Sequence, residues 1–199
     1  MERPYQPAVT RNRLLALAFC TTHCGKSLLW VGTDALSLYI LIRIVEIPPI
    51  LAGTLFILCA FWNAALDGLW GYMLDRLPAI RRVLPVLCGA AGALACLAFA
   101  MLPGLPSGSA WAAGAALILF RTAFALFDVP HNATAPLLAD RNGHLQVARW
   151  RNMLSAAMTI IVGIAATAVM SAGAHNAERA AALFGALAFL ALVLLAPLP

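Results

Sequence analysis

The sequence predicts an all-α membrane protein of six transmembrane helices, and three observations carry that prediction. Hydrophobic residues fill 63% of the 199 positions and charged residues only 11%, for a mean hydropathy of +0.89. A soluble domain carries about 45–50% apolar and about 25% charged residues. The apolar residues fall into six runs, each near the ~20 residues that a bilayer core requires. The arginines also alternate between connections. Arg3, Arg11, Arg13, Arg76, Arg81, Arg82, Arg141, Arg149 and Arg151 fall on one side, and Arg43 and Arg179 on the other.

The runs place helix one near residues 14–41, helix two near 50–73 and helix three near 83–102. Helix four is expected near 110–130, helix five near 153–172 and helix six near 180–195, all in one six-helix domain over 1–199. Pro48 with Pro49, Pro103 and Pro106 with Gly104 and Gly108, and Gly173 with Asn176 mark the turns away from the arginine-rich side. By the positive-inside rule that side is cytoplasmic. The expectation is a multi-pass protein of the cell (inner) membrane with both termini in the cytoplasm. The same alternation accounts for the net charge of +5 without a nucleic-acid partner. The basic start lacks the short apolar stretch and small-residue site of a cleavable signal peptide.

The five cysteines, Cys20, Cys24, Cys59, Cys88 and Cys96, all sit in apolar runs. Cys20, His23 and Cys24 share a helical turn, but a zinc site needs four ligands and no partner pair stands at ligand spacing. Packing between helices is expected, with no disulfide, metal or cofactor.

Function concentrates in residues 61–82. Asn63 and Asp67 are four apart and share a helix face. A carboxylate within a membrane segment costs about 2.5–3.5 kcal/mol on insertion scales, so it must face protein or water. Asp67 falls about 25 Å into helix two at about 1.5 Å per residue, inward of the midplane. Asp128 reaches a similar depth on helix four, while Lys26 and Arg121 fall near the middles of helices one and four. Two charges of each sign at membrane depth point to a mutually neutralising cluster around a wet cavity, with a purely structural ion-pair network as the alternative. Arg121, two turns from Asp128, is expected to neutralise it. Asp34 continues the Lys26 region of helix one toward the outer end. Small residues in helices three and six (Gly89, Ala90, Gly92, Ala93; Ala180, Ala181, Gly185, Ala186) allow close helix contact. The helix order suggests two triplets, as in the inverted three-plus-three repeats of many secondary transporters.

Three stretches together carry a family resemblance. Gly25-Lys26 is followed by Ala52-Gly53-Thr54-Leu55-Phe56. Trp62-Asn63-Ala64-Ala65-Leu66-Asp67-Gly68 is similar to W-D-A-x-x-D-P and leads into Gly71, Asp75-Arg76 and Arg81-Arg82. Phe127-Asp128-Val129-Pro130, then Pro136 and Arg149-Trp150-Arg151, are similar to D-[VI]-P and the arginine opening helix five. The chain thus resembles the N-terminal half of the glycoside–pentoside–hexuronide:cation symporters, the melibiose-carrier branch of the major facilitator superfamily. The resemblance implies cation- or proton-coupled transport of a small polar solute, a sugar or glycoside, by alternating access. It implies substrate-binding roles for Lys26, Asp34, Asp128, Asn132 and Arg151, and coupling roles for Asn63, Asp67 and Asp128. Gly71, Asp75, Arg76, Arg81 and Arg82 would form the gating loop. The implied partners are the solute, the bilayer, and a second six-helix half or a homodimer mate, with H⁺ or Na⁺ as the coupling ion.

The departures from the pattern bear on coupling. Asn63 stands where the family has an aspartate, and Ser27 where one should follow the lysine. Na⁺ prefers several anionic oxygens, whereas a single carboxylate can still carry a proton. Asn132 replaces an expected aromatic residue, which weakens a stacking platform for a sugar ring. Asp34 is a candidate substitute for the lost carboxylate.

Two other classes compete. Intramembrane phosphatidyltransferases use D-x-x-D-G-x-x-A-R, which Asp67-Gly68 matches in part. Ala64, Gly71 and Tyr72 break that motif, and one carboxylate cannot anchor a two-metal site. The third class is a non-transporting truncated half, or a subunit that needs a separate C-terminal half.

Overall fold

The computed structural model describes residues 7–171 and 177–196. They form six α-helices: α1 (Pro7–Arg43), α2 (Pro49–Arg76), α3 (Pro78–Met101), α4 (Ala110–Asn142), α5 (His144–Ser171) and α6 (Ala177–Leu195). Each contains a stretch long and apolar enough to cross a membrane. A short 3-10 turn, Leu102–Gly104, closes α3.

Local signals set most helix ends. Pro49 opens α2, where a missing N–H is harmless. The Ser109 hydroxyl accepts the Ala112 N–H at 3.3 Å and caps α4. After α1 the chain reverses through Glu46 at φ 59°. The Gly108 N–H donates to the Val45 carbonyl at 2.6 Å, and the Ser107 hydroxyl donates to the Glu46 carboxylate at 2.7 Å. The α1–α2 and α3–α4 turns are therefore tied together at one end of the bundle.

The helices run past the expected spans, three of them by seven residues or more at one end. α1 begins at Pro7 rather than near 14. α4 runs past 130 to Asn142, and α5 begins at His144 rather than near 153. Pro130 and Pro136 both lie inside α4. The overrun has a packing cause. Ala135, Leu138 and Ala139 of α4 and Val147 of α5 bury a common apolar cluster with Phe19 of α1. Only Gly143, at φ 87°, separates the two helices.

The packing has internal symmetry. α1 lies chiefly on α5 and α6, α4 on α2 and α3, and α3 meets α6. Exchanging α1 with α4, α2 with α5 and α3 with α6 returns the same set of principal contacts. Successive helices alternate in direction, so this exchange is an inverted three-plus-three repeat.

The core lies behind α1 and α4. Phe99 of α3 stacks on Phe184 of α6 with ring centroids 4.5 Å apart, and both are fully buried. Gly25 and Gly32, two turns apart on α1, admit close neighbours. A Cβ at Gly25 would lie 2.9 Å from the Ala191 carbonyl oxygen of α6, and one at Gly32 would lie 3.0 Å from the Phe99 ring. With α3 and α6 closed against this side, α1 and α4 turn their polar residues the other way.

Candidate functional site

A polar cavity of about 390 Å³ opens between four helices. α1 contributes His23, Lys26, Ser27, Trp30 and Val31, and α4 contributes Phe124 and Asp128. α2 adds Asn63 and Asp67, and α5 adds Arg151 and Ser155. Neither α3 nor α6 reaches it, so the lining helices form a set closed under the exchange of triplets. Trp30, Asp67, Asp128, Arg151 and Ser155 are each partly exposed, which places the cavity on an open face of the bundle.

One wall is a connected cluster. The Lys26 ammonium lies 2.7 Å from an Asp128 carboxylate oxygen and donates to the Asn132 amide oxygen at 2.6 Å. The Asn132 amide donates in turn to the other Asp128 oxygen at 2.8 Å. Arg151 donates to the same Asn132 oxygen at 3.3 Å. Asn132 stands one turn from Asp128 on α4, and this i, i+4 spacing lets it span the ion pair. Lys26 and Asp128 have side-chain exposures of 9% and 17%, and such partly buried charges are tolerable because they are paired and hydrogen-bonded.

The α2 wall differs. The Asn63 amide donates to one Asp67 oxygen at 2.9 Å, and the second Asp67 oxygen is buried without a hydrogen-bond partner among the described residues. No ion pair reaches Asp67 among the described residues. The α5 side supplies hydroxyl and imidazole contacts. Ser155 stands within 3.0 Å of His23 Nε2 and 3.2 Å of the Ser27 hydroxyl. His23 also stacks with His131 and Phe19, extending an aromatic column toward the α4–α5 junction.

Lys26, Asp128, Asn132 and Arg151 thus converge, with Asn63 and Asp67 facing them. Asp34 does not join them. Its carboxylate accepts from Arg121 at 2.7 Å, beyond the lining residues. Arg121 in turn pairs with Asp34 and not with Asp128, so of the four charges expected to form one cluster only Lys26 and Asp128 pair with each other, and Asp67 stands outside both ion pairs. The cause is helix geometry. α1 and α4 run antiparallel, so the cation of each helix meets the acid of the other.

Sequence reasoning weighed His23 only as a metal ligand beside Cys20 and Cys24, and did not single out Trp30, Phe124 or Ser155. The available signal was helical stride: residues 23, 27, 30 and 34 share a face with Lys26, and Ser155 lies one turn beyond Arg151.

A family model described as MFS/sugar transport protein matches residues 20–198. The chain belongs to that family. Comparison with curated proteins and with solved structures returned no match. As a member of the major facilitator superfamily, the six-helix unit is a sugar or solute transporter domain and a multi-pass membrane protein. The motifs that suggested the superfamily bracket the cavity, with Lys26 on its α1 wall, Asn63 and Asp67 on α2, and Asp128 and Arg151 on α4 and α5.

The superfamily's loop motif lies at the end of α2. Asp75, Arg76 and Arg82 are exposed, Arg76 lies over the Tyr72 ring at 5.9 Å, and Gly71 has open space around it. No ion pair joins Asp75 to Arg76 or Arg82 among the described residues, and the Arg81 side chain lies outside them. No group of three His, Cys, Asp or Glu side chains converges for a metal among the described residues.

Proposed function

We propose that this domain is one half of a secondary transporter that moves a small polar solute, a sugar or glycoside, by proton-coupled alternating access. The reading rests on the contrast between two carboxylates. Asp128 is held by Lys26, so its charge is already balanced. Among the described residues Asp67 has an amide for its hydrogen-bond partner, and its other oxygen, at the cavity edge, has none. A carboxylate so placed is the group whose charge can change during transport, because no ion pair among the described residues fixes it. Asn63 orients it and supplies a neutral ligand where a second anion would favour Na⁺. Lys26, Asp128, Asn132 and Arg151 then supply donors and acceptors for solute hydroxyls. The exposed cavity face supports pairing with a second six-helix half or a second copy, and transport rather than catalysis is the activity. The chain would sit in the cell membrane with both termini cytoplasmic.

The test is uptake in proteoliposomes, with Na⁺ and pH gradients imposed separately, for the chain alone and with a companion half. Uptake should require the companion or a dimer and should follow the pH gradient. Asp67→Asn should abolish uphill accumulation while exchange continues, and Asn63→Asp should introduce Na⁺ dependence. Uptake that follows Na⁺ and ignores pH would overturn proton coupling. Robust uptake by a proven monomer would overturn the half-transporter reading.

A further inference from the structure

Between the two ion pairs of the α1–α4 seam lies an aromatic layer. Lys26, Trp30 and Asp34 follow one another at single-turn intervals on α1, while α4 descends past them through Arg121, Phe124 and Asp128. The Trp30 and Phe124 rings meet at 5.2 Å between centroids. Both rings line the cavity, whereas Asp34 and Arg121 do not.

Arg121 is 2% exposed, and Nε and NH1 have no hydrogen-bond partner among the described residues. Burial of a guanidinium is costly unless something compensates it. Its compensation is the Asp34 carboxylate at 2.7 Å and the Trp30 ring, whose centroid lies 4.4 Å from the guanidinium carbon. The indole therefore stands between the guanidinium and the cavity. A planar cation stacked at that distance and anchored by an acid on the indole's own helix fixes the indole's orientation. Asn132, where an aromatic residue was expected, is committed to Lys26 and Asp128.

We propose that Trp30 is the stacking platform of the transport site, held in plane by Arg121 and Asp34 as positioning residues. The ligand it fits is a pyranoside that lays its apolar C–H face on the indole and turns its hydroxyls to Lys26 and Asp128. This rests on the sugar-transport reading above and adds where and how the ring is held.

A variant with Trp62, Trp70, Trp111 and Trp150 changed to Phe leaves Trp30 as the reporter in nanodiscs. If that variant fails to fold, the difference between wild type and Trp30→Phe gives the same signal. Without ligand, Arg121→Gln should shift Trp30 emission and raise its acrylamide quenching, and Arg121→Lys should restore part of both. Methyl β-galactopyranoside and methyl β-glucopyranoside should shield Trp30, and open-chain galactitol should not. In equilibrium dialysis Trp30→Ala should raise the glycoside Kd about tenfold, and Arg121→Gln severalfold. An unchanged Trp30 signal in Arg121→Gln overturns the positioning role. Glycoside binding lost in Asp128→Asn but unchanged in Trp30→Ala overturns the platform and leaves sugar transport standing. Failure of wild type to bind either glycoside overturns both.

Discussion

Lys26 serves two acceptors at once, the Asp128 carboxylate and the Asn132 amide, so its removal strands the acid at membrane depth. Lys26→Met should destabilise the protein by roughly 3 kcal/mol, the low end for a broken buried pair because Asp128 is partly exposed. Lys26→Met with Asp128→Leu should recover most of the loss. Thermal unfolding in mild detergent measures both variants, and equal stability of the single and double variants would refute the coupling. The charged members of this site were legible in the sequence because an ionisable residue in an apolar run demands an explanation. Trp30 and Ser155 were not, because such residues in a membrane helix serve equally well as packing, and His23 drew notice only beside Cys20 and Cys24. The partner of Arg121 was hidden for another reason: Asp34 is 87 positions away, and only the antiparallel crossing of α1 and α4 brings them together.

α4 shows how a helix carries prolines through its middle. Pro130 has no N–H to offer the carbonyl four residues back, which belongs to Leu126. That carbonyl accepts from the Cys88 thiol of α3 at 3.7 Å. Cys88 therefore replaces part of a lost helix bond, a role beyond the spacer function its surroundings suggested. Cys88→Ala should cost about 0.5–1 kcal/mol, and Cys88→Ser should cost less because a hydroxyl is the better donor. In Pro130→Ala, which restores the backbone N–H, Cys88→Ala should be nearly silent. A thermal-unfolding cycle showing equal effects of Cys88→Ala in both backgrounds would reject this account. α4 and α5 also extend past the apolar runs that placed them, because Ala135, Leu138, Ala139 and Val147 pack on Phe19 at their junction, and that information belongs to the tertiary structure.

At the scale of the molecule, apolar runs and arginine placement made the six helices legible, and their order suggested two triplets. Which helices touch was not legible, because inter-helix packing leaves no period in the sequence. The arginine asymmetry gives a direct test of orientation. With the native cysteines replaced, cysteines at Ser107 and Asn142 should react with an impermeant maleimide from opposite sides of the membrane, the first from outside. Labelling of both from one side would reject the six-span, both-ends-in arrangement.

The crossed ion pairs also have a mechanical consequence. Lys26–Asp128 and Arg121–Asp34 lie on either side of the Trp30–Phe124 contact, with their α1 members about 12 Å apart along the helix axis. Sliding α1 lengthwise past α4 would stretch both bridges together. Tilting α1 about the aromatic contact would load one bridge while relieving the other. The two bridges therefore resist shear along the seam jointly and rocking about Trp30 one at a time.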